Sequence, residues 1–190
     1  MELVLATTSP RRHELMRQAG IAFISAAPKV EEWDALTHPH FSPADLVRHN
    51  ARRKAEAVYS KHQEACILAA DTLVYCEGRI MGKPADLDEA AEMLRWLSGK
   101  THEVLTAVAW VQGSDRKIKE TVVRTWVTFR QLDEEQIRAY LKEVHVLDKA
   151  GSYALQEKGS NLVERIEGSR SNVIGLPMEK VLEWWKEAQR

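Results

Sequence analysis

An aspartate, Asp71, interrupts an apolar run: Cys66-Ile67-Leu68-Ala69-Ala70 precedes it, and Leu73-Val74-Tyr75 follows one residue later. The run reads as a strand. Strand interiors seldom accept a carboxylate without a partner, because desolvating an unpaired charge is expensive. Any fold built on this strand therefore has to supply Asp71 with partners. Further along, Lys83 stands between Gly82 and Pro84, which mark a backbone turn. A carboxylate near one end of a hairpin and a lysine near the other suit a metal-phosphate group. The alternative is a buried aspartate bonded to loop backbone and a surface lysine after a turn. The local residues leave both open.

Of 190 residues, 44% are hydrophobic and 29% charged, enough for one sizeable core. A net charge of -1 gives no global pull toward nucleic acid or anionic membrane. No apolar run approaches the roughly 18 residues of a membrane helix. The segment Met1 to Ser9 has neither a basic leader nor a long apolar stretch, so no secretory signal is expected. Cys66 and Cys76 sit in apolar surroundings away from metal-ligand spacing, as expected of reduced, packed thiols in the cytoplasm.

Strands and helices alternate along the first half. Glu2 to Ala6 reads as a buried strand, and Ser9-Pro10 as the cap and first position of a helix through Ala19, stopped by Gly20. Ile21 to Ala26 reads as a strand and Pro28 to Phe41 as a loop. Ser42 and Asp45 open a long helix whose apolar positions recur through about His62. After the Asp71 strand, Glu77-Gly78 fits a hairpin turn. Asp86 and Glu89 start a helix closed by Gly99, and Glu103 to Val111 and Lys117 to Phe129 alternate as strands joined by Gln112 to Asp115. A helix from Leu132 to Glu143, a strand from Asn161 to Ile166 and a helix from Pro177 to Gln189 complete the pattern. The result is a mixed-sheet α/β domain with helices covering the sheet.

Several groups bear on chemistry. Arg11 and Arg12 lie in the first turn of the first helix, where positive charge opposes the dipole unless an anion binds there. Arginine grips phosphate bidentately; the alternative is a pair reaching back to carboxylates such as Glu14. Lys54 belongs to a cationic run, Arg48, Arg52, Arg53 and Lys54, of the kind that forms solvated helix faces, although it borders the buried stripe. Glu31 and Glu32 are loop acids; one of them joined to Asp71 suits Mg²⁺, which asks for few carboxylates. His38 and His40 lack the companions of a zinc site. Trp184 and Trp185 fit packing of the last helix onto the sheet or a second subunit. Gln156 is an amide beside a glycine-bearing turn, suited to a base edge or to any loop.

Together these blocks are more specific than each alone. Leu5-Ala6-Thr7-Thr8-Ser9-Pro10-Arg11-Arg12, Ala70-Asp71-Thr72, Gly82-Lys83-Pro84, Leu97 to His102, Asp148-Lys149-Ala150-Gly151, Val163 to Ser169 and Asn172 to Pro177 follow one another along the chain. In these the chain resembles the Maf family of nucleoside triphosphate pyrophosphatases over nearly its whole length. The resemblance implies one domain over residues 1–190, with an elongated mixed sheet flanked by helices and two lobes around a nucleotide cleft. It implies a homodimer and a divalent cation, Mg²⁺ or Mn²⁺. The implied reaction cleaves the α–β phosphoanhydride, yielding the monophosphate and pyrophosphate.

Carried over by position, Asp71 is the implied proton acceptor or a direct metal ligand, and Glu32 the implied metal-side carboxylate. Ser9, Arg12, Lys54 and Lys83 are the implied triphosphate contacts, and Arg11, Thr72 and Gln156 the implied determinants of substrate choice. Asp148-Lys149 ahead of Tyr153 and Gln156 resembles the dTTP/UTP subgroup. The alternatives are the sister subgroup acting on 7-methyl-GTP and a non-catalytic nucleotide-binding regulator of septum formation. Departures from the pattern are Thr7-Thr8, Val146-Leu147 and Glu157, the last beside the implied base site. No nucleic-acid partner and no membrane are expected.

Overall fold

The computed structural model describes residues 1–112, 117–156 and 158–189. In chain order its elements are β1 (Leu3–Ala6), α1 (Pro10–Gln18), β2 (Ile24–Ala26), α2 (Pro43–Tyr59), β3 (Cys66–Cys76), β4 (Arg79–Met81), α3 (Leu87–Leu97), β5 (Thr101–Gln112), β6 (Lys117–Phe129), α4 (Glu134–Glu143), β7 (Val163–Glu167), α5 (Arg170–Ile174) and α6 (Met178–Ala188). Among the described residues seven strands form one sheet, ordered β2-β1-β3-β5-β6-β7 with β4 paired to β3. The expected mixed α/β class is thus present. The chain divides into two compact units, Met1–Asp71 with Thr106–Val123 and Gly175–Arg190, and Thr72–Leu105 with Arg124–Ile174.

In the first unit β1 is parallel to both β2 and β3, with Leu3 opposite Cys66 and Ala6 opposite Ala69. A strand with parallel neighbours on both sides is covered on both faces, and every residue of β1 is buried. α2 covers the sheet with Leu46, Val47, Ala51, Ala55 and Val58, spaced one helical face apart. Its start is fixed by Ser42, whose Oγ accepts from Asp45 N at 3.2 Å. α6 brings Trp185 edge-on to Trp110 of β5, at 6.4 Å between ring centroids. Packing onto the sheet is the reading of the tryptophan pair that the structure bears out.

α1 ends with Gly20 at φ +67°, where Gly20 N donates to Arg17 O and Ile21 N to Met16 O. This paired closure requires a left-handed residue, which glycine supplies without steric cost. It also corrects the expected strand: Ile21 is spent closing the helix, so β2 begins at Ile24.

The second unit packs Val74, Met81, Leu94, Leu97, Phe129, Ile137 and Leu155 into one core. Glu77 and Gly78, both with positive φ, turn β3 into β4 as expected. α4 opens on a reciprocal cap, Asp133 with Gln136. Two expectations shift here. A 3₁₀ turn over Gly159–Asn161 takes Asn161 out of β7, and the short α5 was not anticipated. The turn expected over Gly113 to Asp115 and the departure at Glu157 lie outside the described residues. No helix among those described is long and apolar enough to cross a membrane. Cys66 and Cys76 are buried free thiols, and burial pushes both above the ordinary thiol range.

Candidate active site

The register of the parallel strands makes the site. β1 stops pairing at Ala6, opposite Ala69, whereas β3 runs on. Asp71 therefore stands two residues past the last β1 partner, where the β1 chain leaves for α1. Ligands in parallel α/β sheets bind at such carboxyl ends of strands. Asp71 is 7% exposed.

Its partners come from α2. Lys54 Nζ donates to Asp71 Oδ1 at 2.6 Å and lies 3.0 Å from Glu32 Oε1. Asn50 Nδ2 donates to Asp71 Oδ2 at 3.1 Å. Residues four apart share a helix face, so one face of α2 grips both carboxylate oxygens. Lys54 is 6% exposed. The solvated-face reading of the cationic run thus fails at this one position. Arg48 and Arg52 keep to that reading, pairing with Asp45 and with Glu56 and Glu120.

The other wall is the start of α1. No acidic residue occupies its first turn. The expected Ser9 hydroxyl cap is absent: Ser9 sits at the N-cap without a side-chain cap bond, and Thr7 Oγ1 instead accepts from Ser9 N at 3.1 Å. Arg12 points inward and donates from Nε to Gly175 O at 2.7 Å and from a terminal nitrogen to Thr7 Oγ1 at 3.4 Å. Glu14, the alternative partner for the arginines, is engaged by Arg17 and Gln18. Burial pulls the Arg12 guanidinium below its ordinary range; the charges of Asp71 and Glu32 oppose that pull, and Arg11 adds to it. Arg11 is half-buried on the same turn.

Glu32 arrives on the loop before α2, its side chain 41% exposed. That loop is pinned by Trp33, whose ring stacks on His38 at 3.8 Å and on His49 at 3.4 Å between centroids. Burial, and then the Arg53 charge, hold His49 below the usual histidine value.

The structure thus brings Glu32, Lys54 and Asp71 into one cluster, with Arg12 in its field. Thr72, Lys83 and Gln156 belong to the second unit: Thr72 is half-buried on β3, Lys83 exposed after β4 and Gln156 exposed in a turn. Sequence reasoning passed over Asn50. An asparagine within an otherwise apolar helix face, where it competes poorly for helix, was the available signal.

The donor chemistry fits a hard divalent cation. Two carboxylates share one ammonium, and such a cation takes few carboxylates and fills its shell with water and phosphate oxygens. Among the described residues no group of three or more His, Cys, Asp and Glu gathers as a metal site. An ionised carboxylate offers about four acceptor sites. Lys54 and Asn50 take one on each Asp71 oxygen, leaving both oxygens able to meet a cation or a water.

A buried acid–lysine pair thus lies beside a helix start where Ser9 makes no side-chain cap bond, on a mixed α/β sheet. The chain belongs to the Maf-like protein family, whose model matches residues 2–188. It is 47% identical over 180 residues to a protein of Akkermansia muciniphila, covering 95% of this chain and 93% of that one. It is 45% identical to one from Symbiobacterium thermophilum, covering 96% and 91%, and 46% identical to one from Moorella thermoacetica, covering 96% and 92%. All three relatives carry the name dTTP/UTP pyrophosphatase. A HAM1 protein from Coxiella burnetii overlaps at a TM-score of 0.39 and 18% identity, over 67% of this chain and 73% of that one.

Proposed function

We propose that this protein is a nucleoside triphosphate pyrophosphatase that hydrolyses dTTP and UTP to the monophosphate and pyrophosphate. The observation that carries the reading is the shared name of relatives at 45–47% identity over nearly the whole chain. That name sets it above the 7-methyl-GTP alternative and above a regulator without catalysis.

The cluster supports a mechanism for it. Phosphoanhydride hydrolysis needs charge neutralisation and positioning more than a covalent nucleophile. The Arg11 and Arg12 guanidiniums at the start of α1 receive phosphate oxygens. Lys54, held between Asp71 and Glu32, turns its ammonium to the substrate. Glu32 and Asp71 would hold a divalent cation, which would supply positive charge against the phosphates. Asp71 orients the attacking water and accepts its proton at a carboxylate oxygen while pyrophosphate departs. Lys83 joins the triphosphate contacts, Ser9 offers its backbone or hydroxyl, and Thr72 and Gln156 bear on the base. A cytoplasmic homodimer belongs to the same reading, and light scattering on the purified protein tests the dimer.

The test of function is pyrophosphate release from a panel of triphosphates with Mg²⁺ or Mn²⁺. Turnover of dTTP and UTP above the purine triphosphates and 7-methyl-GTP is the expected result, with Gln156→Ala narrowing the preference. No pyrophosphate from either pyrimidine under any divalent metal overturns the reading.

A further inference from the structure

We infer that Asn50 is a positioning residue that keeps Asp71 and the Glu32 loop in register when Lys54 turns to substrate; this rests on the function proposed above. Asn50 is 4% exposed, and both ends of its carboxamide are engaged. Its Oδ1 accepts from Trp33 N at 2.8 Å, and its Nδ2 donates to Trp33 O at 2.9 Å and to Asp71 Oδ2 at 3.1 Å. A reversed amide would set oxygen against both the Asp71 carboxylate and a carbonyl, so the network fixes its orientation.

Lys54, one turn further along α2, joins the same two elements through charge, binding Asp71 Oδ1 and Glu32 Oε1. The two residues thus make parallel bridges from α2 to β3 and to the loop. They differ in what a triphosphate does to them. An ammonium between two carboxylates is drawn to incoming phosphate oxygens, and its bridge loosens as substrate binds. A neutral amide with every hydrogen-bonding group engaged has nothing to gain from the phosphates. Asn50 therefore carries the geometry through the reaction. It holds Trp33, and with it the adjacent Glu32, by both main-chain groups, and it holds the Asp71 oxygen that Lys54 does not touch. Groups that orient ligating carboxylates in this way tune cation binding without touching the cation.

The experiment uses Asn50→Leu, near in shape but without polar groups, and Asn50→Asp, which keeps the acceptor for Trp33 N and loses both donations. Val58→Ala is the control, hollowing the buried face of the same helix away from the site. Amide hydrogen exchange over residues 29–41 reads the loop, and kcat, KM for dTTP and half-saturating Mg²⁺ read the site. In Asn50→Leu the loop exchanges about tenfold faster, kcat falls about 10- to 100-fold and half-saturating Mg²⁺ rises about tenfold, with KM for dTTP moving less than about threefold. Asn50→Asp shows the same signs with a smaller change in the loop. Val58→Ala lowers the melting temperature and moves none of the other readouts.

Unchanged loop exchange in Asn50→Leu overturns the inference. So does faster exchange with kcat and Mg²⁺ dependence intact, which makes Asn50 a loop anchor and nothing more. Site kinetics in Val58→Ala matching those of Asn50→Leu assign the effect to general destabilisation and overturn it as well. If the wild-type protein releases no pyrophosphate, the proposed function fails, and the positioning role fails with it, whatever the loop shows.

Discussion

The two units bury polar groups in different proportions of charged to neutral. In the first unit three charged groups gather at Asp71 beside the neutral Asn50: Arg12, Lys54 and Asp71 are 8%, 6% and 7% exposed. In the second most are neutral, and the buried cation Lys149, 3% exposed, donates to the adjacent Asp148 Oδ1 at 2.8 Å and to His145 O. His102, 1% exposed, pairs its Nε2 with the Tyr153 hydroxyl at 2.8 Å and meets Phe129 edge-on. Asn172 donates to Val104 O at 3.1 Å and to Thr125 Oγ1 at 3.0 Å. Neutral groups with hydrogen-bond partners in a core cost far less to bury than charges do. Buried ion pairs seldom add stability over apolar residues of similar volume. A fold that keeps three charges buried at the end of one strand is holding them for something other than its own stability.

The sharpest way to break that contrast is to strip charge from the first unit. Lys54→Met strands Asp71 and is expected to cost about 3–5 kcal/mol in urea unfolding. The double variant Lys54→Met/Asp71→Leu recovers most of that stability and no pyrophosphatase activity. Recovery of activity in the double variant would place the chemistry elsewhere. In the second unit, Asn172→Ala is expected to cost about 1–3 kcal/mol, with unchanged kcat per folded molecule. A fall in kcat would draw the Asn172 network into catalysis and blur the contrast.

The smallest effect is one of pH. Burial pulls His102 down to about 3, so the folded protein keeps it neutral. An unfolded chain takes up that proton below about pH 6.5, so the His102 contribution is whole above that pH and lost toward pH 3. The expected slope is at most about 1.4 kcal/mol per pH unit. Unfolding free energies at pH 7, 6 and 5 should fall less steeply in His102→Gln than in the wild-type protein. Equal slopes would mean that His102 is already charged in the fold.

What the sequence made legible was local. Ser42 with Asp45, Gly20 and Glu77-Gly78 mark their boundaries because a cap or a positive φ is decided within a few residues. Asp71 was legible as a residue that needs partners because a carboxylate in an apolar run is costly wherever the run folds. Lys54 was not. Its neighbours Arg48, Arg52 and Arg53 make the usual cationic face, and only the placement of β3 against α2 gives Lys54 an acid to bury beside. The roles of Asn50, His102 and Asn172 likewise depend on partners 17 to 68 residues away. No local pattern encodes such contacts. The missing Ser9 cap is a subtler difference, since Ser9 takes the N-cap position with extended backbone yet its side chain makes no cap bond.

The central claim is that the charges around Asp71 are kept for catalysis, and Asp71→Asn tests it most directly. The amide preserves shape and removes the proton acceptor. The measurement is pyrophosphate release from dTTP with Mg²⁺, alongside nucleotide affinity and melting temperature. The account predicts a kcat lower by about 10²- to 10⁴-fold with nucleotide affinity and folding preserved. Wild-type turnover in a folded Asp71→Asn protein would contradict it.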